Sequence, residues 1–156
     1  MVIYKITLDL FGDNFSPNKI LDQIELNPLI VDSSERGDKI WPGQDEEIDF
    51  GKISVLNPCT YGLQHDNWEY EEWYVQFIEK NHTLLKLHGV DEIHFFIDVF
   101  YSGDQCNIEV FNKEIFKRLN KHITFSIPLS VYHLKQKEIK EMLLEVGFTK
   151  KEISSL

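Results

Sequence analysis

The amino-acid sequence predicts an α+β fold, in which a mostly antiparallel sheet has helices packed on one face and is followed by a C-terminal amphipathic helix. Two observations favour this class. Several stretches alternate apolar and polar residues, as strands do when one face is buried and the other meets water. Other stretches repeat apolar residues at helical spacing and are bounded by residues that begin or end helices.

The chain opens with a predicted strand and a predicted helix. Residues 2–11 alternate between apolar and mixed positions, which indicates a strand with one buried face. Ser16 is a good N-cap, and Pro17 suits the first position of a helix. A helix is therefore expected to begin here and to end before Pro28, since the residue preceding a proline disfavours the helical conformation.

A loop, a strand and a central helix are predicted next. Residues 32–49 are polar, which indicates a long loop, and residues 51–56 indicate a strand. Asn67 is suited to cap the central helix, whose sequence opens WEYEEWYVQF, and Gly89 is suited to end it. Most of the aromatic residues share one face and are expected in the core, with the glutamates in water. Trp68 lies off that face.

The C-terminal half is predicted to contain a hairpin, a helix, a last strand and a final helix. The hairpin joins residues 92–101, through the turn Ser102-Gly103-Asp104, to a return strand that buries Cys106, Ile108 and Val110. The later elements are a helix capped by Asn112, a strand at residues 123–129 with Pro128 near its end, an amphipathic helix at residues 136–146, and a capping box between Thr149 and Glu152.

The length of 156 residues suits a single domain, with an α+β core over residues 2–130 and a C-terminal helical extension over residues 135–156. The N-terminal residues read as a strand and not as a signal sequence, and no apolar run is long enough to span a membrane. Cys59 and Cys106 are far apart and form no CxxC motif. They are expected to be buried, reduced thiols of a cytoplasmic protein.

The formal charge of −10 is unevenly distributed along the chain. Residues 1–110 hold 21 acids and 7 bases, whereas residues 111–156 hold 5 acids and 9 bases. Nucleic-acid binding is not expected, because phosphate contact requires a clustered basic surface. An acidic body attracts basic partners, although its simplest effect is solubility.

The sequence contains no motif that assigns chemistry. Motifs for nucleotide binding and for a nucleophilic serine are absent, and the six histidines show no HxxxH or HExxH spacing. The acidic run at residues 45–49 lacks the glycine and the ligand spacing of a calcium loop. No catalytic residue, metal or cofactor is therefore assigned.

The favoured hypothesis is a non-enzymatic protein that binds a basic protein partner through a negative patch. The residues assigned to this patch are Asp38, Trp41, Asp45, Glu46, Glu47, Asp49, Asp66, Trp68, Glu69 and Glu72. Tryptophan is enriched where binding energy concentrates, so Trp41 and Trp68 are expected to be its anchors. The sequence leaves the oligomeric state open.

The alternative hypothesis is a small-molecule or catalytic site on the outer face of the sheet. The residues assigned to it are Asp9, His94, Phe96, Asp98 and Phe100. If the strands at 2–11 and 92–101 are neighbours, a carboxylate can orient His94 as a general base. Two rings on a polar face indicate that a ligand, a partner or the C-terminal helix covers them.

Several stretches resemble a bacterial family known only as a domain of unknown function. The resemblance covers residues 2–130 and is carried by LFGDNFSPNKILDQIEL, by Gly37, by the central amphipathic helix and by FNKEIFKRLNKHITFSI. Small acidic members of such families occur beside toxins as candidate immunity proteins. The resemblance therefore implies an immunity-type inhibitor of a cognate toxin, and it implies no catalytic residue. That the toxin is basic is expected from the acidic charge of the chain.

Overall fold

The computed structural model describes residues 1–43, 45–63 and 68–154, and for Trp68 only the backbone. Its strands are β1 (Val2–Gly12), β2 (Leu29–Ser34), β3 (Gly51–Leu56), β4 (Gly62–Leu63), β5 (Glu92–Tyr101) and β6 (Leu129–His133). Its helices are α1 (Trp68–Leu87), α2 (Lys113–Leu119), α3 (Gln136–Glu145) and α4 (Lys150–Ser154), and a short 3-10 helix spans Pro17–Lys19. The predicted α+β class is confirmed.

The strands form one sheet in the order β2-β3-β1-β5-β6, and the short β4 pairs with the N-terminal part of β1. Strand β1 is central and runs antiparallel to both β3 and β5. The pair β5–β6 is parallel. The sheet is therefore mostly antiparallel, as predicted, and β2 and β6 are its outermost strands.

The inner face of the sheet packs against α1 and α2. The predicted alternation of β1 is confirmed, because Val2, Tyr4, Ile6, Leu8 and Leu10 are all buried. The aromatic face of α1 covers them, with Tyr74 and Phe77 fully buried in the same cluster. Most rings of the WEYEEWYVQF stretch thus belong to the core.

The outer face carries a second, smaller cluster beneath the C-terminal helices. Ile3 of β1 packs there with Ile139, Leu143 and Ile153 from α3 and α4. Phe100 of β5 is partly buried against this cluster. Coverage by the C-terminal helix, one of the explanations expected for an apolar ring on this face, is therefore confirmed for Phe100. Helices consequently lie on both faces of the sheet.

The helix predicted after Ser16 is wrong. Only the 3-10 helix forms, and Ser16 makes no side-chain capping bond. Its hydroxyl instead donates to Glu35 Oε1 at 3.1 Å, and the same oxygen accepts the backbone N–H of Asn18 at 2.8 Å. The Ser16 hydroxyl therefore binds the Glu35 carboxylate, from the segment that follows β2, and does not cap a helix. Leu26 and Asn27 then adopt left-handed φ values of 73° and 43°, which no helix continues through.

The return strand predicted after Gly103 is also wrong. The segment 105–110 forms no strand, because both edges of β5 are already paired, one with β1 and the other with β6. Its apolar side chains, including Ile108, still pack against the inner core from an irregular backbone. The alternation correctly predicted that these side chains are directed at the core. It could not show that β5 has no free edge with which a return strand could pair.

The last strand is shifted from the predicted range 123–129 to residues 129–133. Pairing with β5 begins at Ser126 and becomes regular only after Pro128, which has no N–H to give to the ladder. Leu129, expected in the core, is 59% exposed because it lies on an outermost strand. Pro128 thus lies directly before an outermost strand, at the point where regular pairing begins.

Strand β2 was not predicted, since the residues from 32 onward read as a loop. It pairs along β3 with a bulge between Ile30 and Asp32. Its apolar residues are exposed, so no burial pattern marked it. The helices α2, α3 and α4 were predicted correctly, including the Asn112 cap and the Thr149–Glu152 capping box. No described helix has the length and apolar character needed to cross a membrane.

Both cysteines are free, but they are not equally protected. Cys106 is half-buried against the core, whereas Cys59 is exposed in the segment after β3. The expectation that both thiols are buried is therefore wrong for Cys59. It lies just beyond the point where the chain leaves the sheet, and apolar alternation no longer governs exposure there.

Candidate functional site

The segment between β2 and β3 folds back on itself as an irregular hairpin, described over residues 35–43 and 45–50 and named here the acidic hairpin. The N–H of Gly37 donates to the carbonyl of Ile48 at 2.7 Å, and the N–H of Ile48 donates to the carbonyl of Asp38 at 2.8 Å. A bridge between Lys39 and Glu47 extends this pairing. The loop predicted here therefore has a defined shape.

Trp41 lies near the turn of the acidic hairpin, away from its base, and 64% of its surface is exposed. The five acids assigned to this loop, namely Asp38, Asp45, Glu46, Glu47 and Asp49, are all exposed around the same hairpin. Lys39 offsets part of their charge, because its Nζ lies 2.9 Å from Glu47 Oε1. The hairpin thus presents a large aromatic ring within a strongly negative surface.

The base of the hairpin is tied to the fold by side-chain contacts. Arg36 Nη1 donates to the carbonyl of Asp13 at 3.2 Å, next to the end of β1. The backbone N–H of Glu35 donates to Asp38 Oδ2 at 2.7 Å, while the Glu35 carboxylate holds the 3-10 helix. Asp38 therefore helps to shape the base, and Asp45, Glu46 and Glu47 remain as the outer acids.

Strand β2 leads into the hairpin and exposes three consecutive apolar residues. Leu29, Ile30 and Val31 are all exposed, Val31 to 53%. Within the described part of the chain, β2 pairs with β3 alone, so its other edge is open. Asp32 forms an ion pair with Lys52 of β3 at 2.9 Å. We name β2 together with the acidic hairpin the acidic edge.

The other half of the predicted patch does not join the acidic hairpin. The first turn of α1 lies beside the middle of β1, where the Tyr70 hydroxyl meets the N–H of Ile6 at 3.0 Å. The hairpin instead enters β3 opposite Gly12, at the far end of β1. About 20 Å of extended strand separates Ile6 from Gly12. Glu69 and Glu72, the described residues of this half, therefore lie apart from the acidic hairpin.

The individual acids on α1 also differ from one another. Glu69 is exposed, as expected of a surface acid. Glu72 is not free, because its carboxylate binds Arg118 Nη1 of α2 at 2.7 Å. Asp66 and the side chain of Trp68 lie outside the described residues. The acidic hairpin therefore carries the partner-binding hypothesis, and Glu72 serves the packing of two helices.

The sheet-face residues are neighbours, as the alternative hypothesis requires, but they are bound to other groups. Asp9 and His94 are cross-strand partners in the β1–β5 register. Asp9 nevertheless accepts the hydroxyl of Ser54, and His94 Nε2 lies 2.7 Å from Glu92 Oε1. Asp98 is 3.3 Å from the Nζ of Lys5. Asp9 and Asp98 are therefore bound to other groups, and the carboxylate that contacts His94 is that of Glu92.

The rings of the outer face are accounted for in part. Phe100 stacks on Tyr132 of β6, with ring centroids 5.1 Å apart. Phe96 remains half-buried, opposite Thr7 of β1. Beside His94 lies a small recess of about 220 Å³, lined by Phe11, Gly12, Asp13, Phe50, Asp91, Glu92 and His94. The His94 ring packs against Phe11 there, at 5.2 Å between centroids.

Sequence reasoning missed a buried carboxylate. Glu71 is only 5% exposed, in contrast to the expectation that the glutamates of α1 point to water. Its Oε1 accepts the hydroxyl of Tyr4 at 2.7 Å, and its Oε2 accepts the N–H of Phe111 at 2.9 Å. Burial raises the pKa of Glu71, and the two hydrogen bonds oppose that rise. Helical spacing from the buried Val75 and Ile78 was the available signal.

Two tyrosines of α1 replace a missing piece of strand. Between β3 and β4 the chain leaves the edge of β1, and the Tyr70 and Tyr74 hydroxyls bond the N–H and the carbonyl of Ile6. The same hydroxyls bond Thr60 and Asn57 of the departing segment. Burial raises the pKa of Tyr70 to about 12, so this hydroxyl keeps its proton. The tyrosines are structural.

A larger cleft of about 600 Å³ lies where α1 and α2 end. His82 and His122 line it with their rings 4.3 Å apart, and His82 Nδ1 lies 3.2 Å from the carbonyl of Ile78. Lys86 and Lys121 also line this cleft. Basic residues at the ends of helices stabilise the negative end of the helix dipole, which is sufficient reason for their presence.

Among the described residues, no group of three or more histidine, cysteine, aspartate or glutamate side chains is arranged to hold a metal ion. No protein-family model matches the chain, and neither the curated proteins nor the solved structures contain a match. The acidic edge therefore has to be interpreted from its own chemistry.

Proposed function

We propose that the protein is a non-enzymatic binding protein whose acidic edge binds a basic protein partner. The observation that carries this proposal is the exposed Trp41 ring among the exposed carboxylates of the acidic hairpin. A large exposed ring is a typical anchor of a protein interface, and charges around it set the encounter rate and the choice of partner.

The charge of the region supports a basic partner. Residues 22–50 contain nine acids and two bases, in a chain whose formal charge is −10. A surface of one sign attracts a partner of the opposite sign and repels nucleic acid. The carboxylates that would serve the alternative sheet-face site are already bound to neighbouring groups, as Lys5 and Asp98 illustrate. We therefore place binding at the acidic edge.

The partner class that best fits is a basic toxin, and the protein would act as its immunity-type inhibitor in the cytoplasm. A toxin that acts on nucleic acid offers a positive surface to phosphates, and an acidic edge can occupy the same surface. The resemblance to bacterial families that contain candidate immunity proteins favours this class. Two free thiols fit a reducing compartment.

The test is association kinetics with a basic partner isolated from the source cell, measured at low and high salt. Reversing Asp45, Glu46 and Glu47 to lysine is expected to slow association and to reduce its salt dependence. The matched control reverses three exposed acids elsewhere, Asp104, Glu109 and Glu145, which produces the same change in net charge.

Trp41→Ala is expected to leave the association rate nearly unchanged and to speed dissociation, because it removes an anchor and no charge. The triple reversal of Asp45, Glu46 and Glu47 and the Trp41→Ala variant should both unfold at the wild-type urea concentration, since the altered side chains are exposed. Equal association rates for the acidic-hairpin variant and its control would contradict the proposal.

A further inference from the structure

We propose that the open edge of β2 receives an extended segment of the basic partner as an added strand. This inference rests on the proposed function and specifies how the partner is held. Backbone hydrogen bonds along an exposed sheet edge supply affinity in such complexes, and alternate side chains supply specificity.

The composition of β2 is unusual for an unprotected edge. Natural sheets protect open edges with lysines, prolines, bulges or covering segments, because an exposed apolar edge pairs with other chains. Strand β2 has one of these features, a bulge between Ile30 and Asp32. Strand β2 has the sequence LIVDSS, without lysine or proline, and Leu29, Ile30 and Val31 are exposed. Such a surface indicates that the edge is covered when the protein acts.

The geometry limits the size of the added segment. The bulge between Ile30 and Asp32 divides β2 into two short runs of paired residues. The acidic hairpin begins directly after Ser34, so a strand lying along β2 comes close to its carboxylates. A partner segment of about six residues, the usual length of a strand, would contact both.

Charge decides between a second copy of this chain and a different partner. Residues 22–50 hold nine acids and two bases, so pairing two β2 edges would bring two strongly negative surfaces together. A segment that alternates basic and β-branched residues meets opposite charge and apolar surface at once. The occupant is therefore an extended basic segment of a partner protein.

The outermost strand at the other side of the sheet provides an internal control. Leu129 and Val131 of β6 are exposed to a similar extent as the apolar residues of β2. Strand β6 belongs, however, to the C-terminal region with 9 bases and 5 acids. A basic segment should therefore select β2, although both edges expose apolar residues.

The test uses the full chain and a synthetic peptide of alternating lysine and valine. Amide hydrogen exchange, followed residue by residue by NMR, is expected to slow at residues 29–34 and not at residues 129–133 when the peptide is added. A peptide of alternating glutamate and valine should not bind. Methylating alternate backbone nitrogens of the lysine peptide should weaken its binding by at least about tenfold, because hydrogen-bond donors are lost.

Paired variants separate the side chains of the two edges. Leu29→Thr with Val31→Thr is expected to weaken binding of the lysine peptide, whereas Leu129→Thr with Val131→Thr is expected to leave it unchanged. Threonine retains the tendency to form strands, so each edge should persist. Failure of the lysine peptide to bind at millimolar concentration would overturn the inference.

Two outcomes distinguish this inference from the proposed function. If the peptide binds and depends on Asp45, Glu46 and Glu47, but N-methylation and exchange at β2 show no effect, strand addition is wrong and binding at the acidic hairpin stands. If β2 is protected but the acidic reversal changes nothing, strand addition stands without the hairpin. Protection of β2 in the protein alone, with a dimeric mass, would identify a second copy as the occupant and overturn the inference.

Discussion

The carboxylate of Glu71 in α1 accepts the backbone N–H of Phe111 at 2.9 Å, across 40 positions of the chain. Phe111 has a left-handed φ of 58°, a conformation that a bulky residue rarely adopts, and it is buried against Phe95. Without this bond, the buried N–H of Phe111 would lack the Glu71 carboxylate as its hydrogen-bond acceptor. Glu71 thereby fixes the point where the irregular segment after β5 turns into α2.

Replacing Glu71 by alanine is expected to destabilise the fold by about 1–3 kcal/mol, because the buried N–H of Phe111 loses its acceptor. The measurement is the free energy of unfolding in urea. Glu69→Ala is the matched control, since Glu69 is an exposed acid on the same helix turn. Equal unfolding free energies for the two variants would show that the Glu71 carboxylate does not support the core.

The pH dependence of stability tests the raised pKa of Glu71. Burial raises this pKa in the folded state above the ordinary value of 4.5, so the folded protein holds the proton more tightly than the unfolded chain. The contribution of Glu71 is therefore largest below pH 4.5 and is lost as the pH rises through the folded pKa. Glutamine does not titrate, so the free energy of unfolding of Glu71→Gln should increase relative to that of wild type as the pH increases through the folded pKa of Glu71. Urea unfolding at a series of pH values measures this difference. A constant difference would refute the raised pKa.

Tyr74→Phe tests the replacement of strand by side chain. The Tyr74 hydroxyl bonds the carbonyl of Ile6 and accepts the N–H of Asn57 at 3.0 Å. Removing one oxygen atom leaves both buried groups without this partner, at an expected cost of about 1–3 kcal/mol. Tyr132→Phe, on the exposed strand β6, should change the free energy of unfolding by less than about 0.5 kcal/mol. Similar values for the two would contradict the structural role.

The contact of Arg118 with Glu72 and Glu79 joins α2 to α1. Arg118 binds Glu79 through two nitrogens at 2.8 Å and Glu72 through a third at 2.7 Å. The Arg118 guanidinium lowers the pKa of Glu79, so acidification should weaken this contact as Glu79 becomes protonated. Arg118→Ala is expected to cost about 1 kcal/mol, since the group is partly exposed and solvent screens it.

Lys117→Ala is the control for Arg118→Ala. Lys117 pairs with Glu114 on the surface of the same helix, and both side chains are more than half exposed. Its loss should have no measurable effect on urea unfolding. If Arg118→Ala is equally silent at low salt, the contact between the two helices does not contribute to stability.

The two thiols should react at different rates with a thiol reagent in the native protein. Cys59 is exposed, whereas Cys106 is half-buried against the core. The absorbance of the group that the thiol reagent releases is expected to increase in one fast and one slow phase of equal amplitude. Cys59→Ser should abolish the fast phase. Two thiols that react at one rate would contradict the difference in exposure.

Local patterns were enough to predict the elements with strong periodicity. The alternation in Val2–Gly12 and Glu92–Tyr101 and the spacing of apolar residues in α1 and α3 are properties of short stretches. Caps such as Asn112 are equally local, because side chain and receiving N–H groups lie within one turn. The sequence also assigned Trp41 and the acids of the acidic hairpin to a surface patch, and these side chains are exposed.

Only the tertiary structure decided which edges were free to pair and which groups met across the sheet. The sequence determined that residues 105–110 carry apolar side chains, but β1 and β6 had already taken both edges of β5. It determined that Glu71 lies on α1, but the buried N–H of Phe111 brought that acid into the core. Likewise, the separation of Glu69 from the acidic hairpin follows from the β1–β3 register. Periodicity is set by neighbours along the chain, whereas strand pairing and the satisfaction of buried polar groups depend on residues far away in sequence.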